Sequence, residues 1–261
     1  MTQFIVTNVY DGLNLRPSAS TSGTPITSMA FGTLLELIED TGTKWKKVRI
    51  VGSNPAVEGY ASDLYLTEVR SDAIARLIAS AAHYWELFDH GTGRENVPPY
   101  KGYVLQMWDD LGTGRPPGDN TSHPDWPWSA AGMSAFIRRA GGYTGFKYSA
   151  GHALYINDAI VKMKAGNPAP FWGYKINEKK PEVGDLIAQW RKTQIDYDYA
   201  KTHSSFSSHT DVVCQVLEGS IRAIGANVPT DTVGVKVYQL TTDGYLAGKR
   251  NEIAILKNRA A

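Results

Sequence analysis

Cysteine is nearly absent from this chain of 261 residues: there is one, Cys214. A single thiol excludes an intramolecular disulfide and any zinc site built on paired cysteines. An excess of charge of either sign is missing too. The 27 Lys and Arg residues face 26 Asp and Glu, for a formal net charge of +1. No broad field therefore draws the chain toward nucleic acid or anionic lipid, and neither is expected as a partner. No apolar run is long enough to span a bilayer, so membrane insertion is not expected. The start, Met1-Thr2-Gln3-Phe4-Ile5-Val6, lacks the basic and apolar segments of a signal peptide. Action outside the cytoplasm would then need another route of delivery, or a leader that this sequence does not include. Glycine-rich phosphate loops of the standard kinds are also missing, which leaves nucleotide chemistry unsupported.

What is present suits a folded globular chain, with 42% hydrophobic and 20% charged residues. The length allows one large domain, or a large and a small one. Two regimes of periodicity divide it. Up to about Glu68 the apolar stretches are short (Phe4–Val9, Thr33–Glu39, Trp45–Ile50 and Gly59–Leu66), with turn-forming segments between them. Closely spaced short strands of this kind predict a small barrel. From Ser71, a plausible N-cap, the period becomes helical, with Ile74, Leu77, Ile78, Ala81, Trp85 and Phe88 on one stripe. The expected boundary separates residues 1–68 from 69–261. With no Gly/Ser linker between them, the two parts are expected to pack together.

The second part reads as a Gly-, Pro- and aromatic-rich connection from Asp89 to Trp128, carrying a short helix at Tyr103–Leu111. Helices are expected at Ser129–Ala140 and Gly151–Ala165. Strands follow at Leu186–Trp190, Thr210–Val216, Ile221–Gly225 and Val233–Leu240. Helices first and a sheet afterwards give an α+β domain, with helices packed on a largely antiparallel sheet. Alternation places Thr210, Val212 and Cys214 on one strand face, so Cys214 reads as a small core residue. His209 falls on the opposite face with Asp211.

The order of motifs is more specific than the periodicity. In the first part, Leu13-Asn14-Leu15-Arg16-Pro17, Gly32-Thr33, Trp45-Lys46-Lys47-Val48 and Glu58-Gly59-Tyr60-Ala61 follow one another. This series resembles a bacterial SH3 (SH3b) domain, which implies attachment to the cell wall. A plain spacer barrel is the alternative.

The second part contains Pro127-Trp128-Ser129-Ala130-Ala131-Gly132, then Pro181-Glu182-Val183-Gly184-Asp185-Leu186, then Ser208-His209-Thr210-Asp211-Val212. The stretch from Ile221 through Asn227 and Asp231 to Val233 comes last. In that order they resemble the papain-like cell-wall amidases of the NlpC/P60 and CHAP type, with serine where those carry the cysteine nucleophile. Together with Tyr148-Ser149-Ala150-Gly151-His152-Ala153-Leu154-Tyr155, they look most like the DUF2272 branch. The resemblance to that branch implies serine as the usual residue at this position.

By that resemblance Ser129 attacks, His209 acts as base and acid, and Asn227 orients the imidazole. Asp231 competes for the orienting role, and Asp211 can reach His209 from two residues along the strand. Trp128, His152, Tyr155 and Trp172 are the residues expected to line the substrate groove. No cofactor is implied. The expected substrate is peptidoglycan, cut at an amide bond of the stem peptide or at its junction with the glycan. The expected place of action is the bacterial cell wall or periplasm, reached through phage lysis or a secretion apparatus. An immunity protein is a possible partner.

Three alternatives stand beside this. Ser129 can be an N-cap, a role that serine favours. The chain can be a wall-binding protein whose nucleophilic cysteine was replaced by serine, naturally or by engineering. His152, His209 and Asp211 can instead bind a metal that drives hydrolysis.

Overall fold

A computed structural model gives the fold, and it describes residues 2–7, 11–229 and 231–260. Met1, Asn8, Val9, Thr230 and Ala261 belong to segments read above and lie outside the described residues. The first part consists of β1 (Gln3–Val6), β2 (Leu13–Leu15), β3 (Thr27–Met29), β4 (Leu34–Asp40), β5 (Trp45–Ile50), β6 (Glu58–Ser62) and β7 (Leu66–Val69). Five of these strands form an antiparallel sheet in the order β6-β5-β4-β1-β7, and β2 pairs with β3. The expected strands are present, but the barrel is not closed: among the described residues no ladder joins β6 to β7. The hairpin of β2 and β3 instead folds over the sheet, held by an isolated bridge between Arg16 and Tyr60. Phe4, Val6, Leu13, Leu15, Met29, Leu35, Val48 and Ala61 fill the core of this unit.

Two residues, Arg70 and Ser71, separate β7 from α1 (Asp72–Leu87), the first helix of the second part. Ser71 caps it as expected, its side chain accepting from the Ile74 amide. The stripe from Ile74 to Phe88 is buried. After α2 (Tyr100–Leu111), α3 (Ser129–Ala140) and α4 (His152–Ala165) come β8 (Phe171–Tyr174), β9 (Leu186–Trp190), α5 (Tyr197–Thr202), β10 (Ser208–Leu217), β11 (Ser220–Ala226), β12 (Val233–Gln239) and β13 (Glu252–Asn258). The six strands form an antiparallel sheet in the order β12-β11-β10-β9-β13-β8. This is the α+β arrangement expected, with two strands, β8 and β13, that the sequence reading did not contain.

Helices α1, α3 and α4 bury their apolar faces on one side of the sheet, against Leu186, Ala188, Val212, Cys214, Ile224 and Ala226. A smaller cluster around Ile187, Val213, Ile221, Tyr238 and Ile255 covers the other side. Alternation along β10 explains the split, since side chains of neighbouring residues leave the strand on opposite faces. Cys214 sits in the helix-side core as expected, and burial pushes its thiol up to about 12. A thiol that stays protonated in this way is not a nucleophile.

The two parts are packed against each other. Phe31 meets Trp85 edge-on with ring centroids 5.5 Å apart, and Ile5 and Val69 join the helix-side core.

Candidate active site

Both α3 and α4 begin at the same place on the sheet, and that coincidence builds the site. Ser129 is the first residue of α3. Trp128 holds the N-cap position, so Ser129 is not the cap residue. Its Oγ lies 2.8 Å from Nε2 of His152, the first residue of α4. The other ring nitrogen of His152, Nδ1, lies 2.9 Å from Oγ1 of Thr210 on β10 and also bonds the Tyr155 hydroxyl. Tyr155 and Thr210 join hydroxyl to hydroxyl at 2.9 Å. Both hydroxyls can donate or accept, so they hold the ring plane while allowing either tautomer.

A second dyad stands beside the first. His209 Nε2 is 2.7 Å from Asp211 Oδ1. Because the carboxylate only accepts, Nε2 carries the hydrogen, and in the neutral ring Nδ1 keeps its lone pair. Asp211 also receives the Lys236 ammonium at 2.6 Å and the Tyr238 hydroxyl. Those two come from β12, across β11. They reach Asp211 because β11 presents Gly225 there: a Cβ on Gly225 would lie 1.7 Å from Asp211 Oδ1. The His152 and His209 rings are 5.0 Å apart, centroid to centroid.

The electrostatics separate the groups. Burial, reinforced by neighbouring His209, pushes His152 well below the ordinary imidazole range. Burial also lowers His209, against the pull of Asp211. Both rings are therefore neutral at pH 7. Burial opposes ionisation of Asp211, but the charges and hydrogen bonds of His209 and Lys236 outweigh it, and the carboxyl stays well below its usual range.

Ser129, His152 and His209 open onto a cleft of about 670 Å³ that is also lined by Gln189, Arg191, Phe206, Asn227, Pro229, Lys236 and Arg250.

Several expectations are corrected by this geometry. The hydrogen-bond partner of Ser129 is His152, not His209, because the first turn of α4 reaches Ser129 directly. His152 was expected to line the groove or, in the metal alternative, to bind an ion. Asn227 does line the cleft, but it leaves β11 in a left-handed conformation (φ 59°), and among the described residues no hydrogen bond links it to either histidine. The partner of His209 is Asp211, as its position on the same strand face allowed. Asp231 is exposed, and its carbonyl accepts from the Glu95 amide.

Trp128 is fully buried, stacked on Phe88 at 5.5 Å with its indole N–H on Glu95, so it is a core residue and not a groove wall. Tyr155 is buried behind His152. Trp172 lies on the edge strand β8 under the Arg259 guanidinium. Its strand is separated from β10 by β13 and β9, and Trp172 does not line the cleft.

The metal alternative also fails geometrically: among the described residues no group of three or more His, Cys, Asp and Glu side chains is arranged to hold an ion. Asp211 is already occupied by a cation, Lys236.

Thr210, Lys236, Tyr238 and Gln189 were not expected at the site. Lys236 and Tyr238 are two apart on an expected strand, and that polar pair of period two was the available signal. Nothing local marked Thr210 beyond its face.

These features define an α+β protein with a serine–imidazole pair at the meeting point of two helix N-termini. Residues 105–260 match the family described as "Uncharacterized protein conserved in bacteria (DUF2272)". That match covers more than half of the chain and contains the whole constellation, and the chain belongs to this family. No curated protein and no solved structure matches it. Among the described residues no helix is long and apolar enough to cross a membrane.

Proposed function

We propose that this protein hydrolyses an amide bond of the cell-wall stem peptide, with Ser129 as nucleophile and His152 as its base. The observation that carries the reading is the 2.8 Å contact between Ser129 Oγ and His152 Nε2, two residues that line the cleft. A hydroxyl is too weak an acid to ionise beforehand, so its proton must leave as it attacks, and a neutral imidazole at hydrogen-bond distance can take it. In that step Nε2 accepts the Ser129 proton while Nδ1–H donates to Thr210 or Tyr155. The oxyanion formed at the substrate carbonyl faces the first turn of α3, whose amides have no acceptor within the helix. His152 then gives its proton to the departing amine, leaving an acyl-enzyme that water cleaves. His209, with the lone pair of Nδ1 available and Asp211 behind it, is placed to accept a proton from that water.

The choice of a cell-wall substrate rests on the motif resemblance to NlpC/P60-type amidases. The SH3b-like motifs of the first 68 residues support a wall-binding role for that unit. Its groove beside Asn14, Arg16, Trp45 and Leu64 is a candidate contact for the peptide.

The test is incubation with purified peptidoglycan sacculi, reading released muropeptides and new termini by mass spectrometry. Wild-type protein is expected to release fragments, and Ser129→Ala or His152→Ala to reduce release by about 100-fold or more. Equal release by wild type and Ser129→Ala would overturn the serine mechanism.

One observation favours a second, non-enzymatic reading. The partners of His152 Nδ1 are uncharged, whereas serine triads ordinarily place a carboxylate there. A wall-binding protein without turnover would bind sacculi and release nothing.

A further inference from the structure

The charge along the cleft is one-sided. Its lining includes Arg191, Lys192, Lys236 and Arg250 and no carboxylate. Lys236 is neutralised by Asp211 at 2.6 Å. Among the described residues, Arg191, Lys192 and Arg250 have no carboxylate within ion-pair distance and no side-chain hydrogen bond. The nearest acid on their strand ends, Glu252, is buried and accepts from the backbone N–H of Arg250, not from its guanidinium.

The two arginines come from neighbouring strand ends. Arg191 follows β9 and Arg250 precedes β13, and the register pairs Glu252 with Gln189. Their backbones are fixed. The Arg191 amide donates to the Ser207 carbonyl at 2.8 Å, and the Gln189 side-chain amide donates to the Arg250 carbonyl. The Trp190 amide donates to the Asn251 carbonyl at 3.0 Å. On the same row, Gln189 also pairs with His209 on β10. This places the guanidinium-bearing strand ends next to the catalytic histidines.

The field of Arg191 reaches the reacting groups: it is among the causes that lower both His152 and His209. Arg191 and Arg250 thus present positive charge to the cleft without a counter-charge among the described residues. An anion seated among them would offset the field of Arg191 at the two histidines.

We propose that Arg191 and Arg250 form a carboxylate subsite that holds a free carboxyl group of the substrate beside Ser129. The substrate class is then a peptide with an unblocked carboxyl group a short distance from the bond that is cut. Identifying this ligand as a substrate group rests on the hydrolase reading above. Two forked guanidiniums match the planar, bidentate geometry of a carboxylate, and Lys192 adds charge at the rim. A bound carboxylate also cancels the field of Arg191 at His152, so the base strengthens when the correct substrate is in place.

The test separates binding from turnover. Ser129→Ala protein is titrated calorimetrically with N-acetyl-alanyl-alanine as the free acid and as its terminal carboxamide. The same titrations are run with Arg191→Gln and Arg250→Gln added singly and together. Both arginines are exposed, so these variants are expected to fold. The free acid is expected to bind about tenfold more tightly than the carboxamide. Each substitution is expected to reduce that preference, and the double substitution to abolish it. Equal binding of acid and carboxamide, binding of neither, or a preference that survives both substitutions would overturn the subsite. Displacement of the acid by inorganic phosphate at lower concentration than by the acid itself would assign the cations to a phosphoryl group and overturn the carboxylate. A carboxylate preference without Ser129-dependent release from sacculi keeps the subsite and removes the hydrolase reading. Release without the preference does the reverse.

Discussion

Ser129 Oγ and His152 Nε2 meet at 2.8 Å as the first residues of two successive helices, α3 and α4. Each helix turns its unpaired amides and the positive end of its dipole toward the same point. For an oxyanion forming there, the two fields add. For a proton on His152 they oppose, in the same sense as the burial that already lowers that imidazole. Under the proposed mechanism, His152 would stay neutral until Ser129 hands over its proton.

The acid limb of activity follows from this. His152 is lowered from 6.5, so it remains unprotonated and competent below that pH. Release from sacculi is expected to stay level from pH 8 down through 6.5 and to fall only at lower pH. A midpoint at or above 6.5 in the kcat/KM profile would contradict a buried neutral base. Stability moves the same way. A histidine that titrates at 6.5 when unfolded and lower when folded binds more protons in the unfolded state. Stability is thus lost as pH drops from 6.5 toward the folded value. Thermal melts between pH 8 and 5 are expected to show this fall, and His152→Gln to flatten it.

Replacing Ser129 by cysteine asks whether the pocket suits a thiolate. A thiolate–imidazolium pair needs a histidine that holds a proton at neutral pH, and His152 does not. The Ser129→Cys variant is expected to release muropeptides no faster than wild type. Its alkylation by iodoacetamide, followed against pH, is expected to show a thiol lowered below the ordinary range of about 8.5 by the two helix dipoles alone. A tenfold gain in turnover would identify a disarmed thiol site instead.

The sequence disclosed the elements more fully than the contacts. Helical stripes and alternation located α1, α3, α4 and most of the strands, because those patterns are local. They also placed His209 beside Asp211, a pair two residues apart on one strand face. The partner of Ser129 was misassigned because strand order and helix docking decide it, and neither is local. The motif resemblance led to the expectation that His209 faces Ser129, whereas the first residue of α4, His152, fills that space. Trp128 was read as a groove wall because it sits in a Pro-rich loop, yet Phe88 and Glu95 bury it. Strand β13 was overlooked although it is an interior strand, paired with β9 on one side and β8 on the other.

Asp211 is the anchor of the second dyad, and its removal should be felt throughout the molecule. It is fully buried and neutralises Lys236, whose side chain is largely buried as well. Asp211→Asn leaves an ammonium without its counter-charge, a change expected to cost about 3–5 kcal/mol in urea unfolding. Adding Lys236→Met should recover part of that loss. Gly225→Ala should mimic Asp211→Asn, because the new methyl would occupy the position of the carboxylate.

The approach of α3 to the sheet sets the 2.8 Å contact, and Gly132 permits that approach. A Cβ on Gly132 would lie 2.3 Å from the Cβ of Ala226 on β11. Gly132→Ala must therefore lift the helix from the strand, one turn away from Ser129. Overpacking of this kind is expected to cost about 1–3 kcal/mol. A displacement of about 1 Å at the nucleophile is expected to lower kcat by about 100-fold, with KM changed far less. Because the opposing atom is a single methyl, Gly132→Ala combined with Ala226→Gly should restore both stability and turnover. If the double variant regains stability but not activity, the spacing between α3 and β11 is not what sets the Ser129–His152 distance.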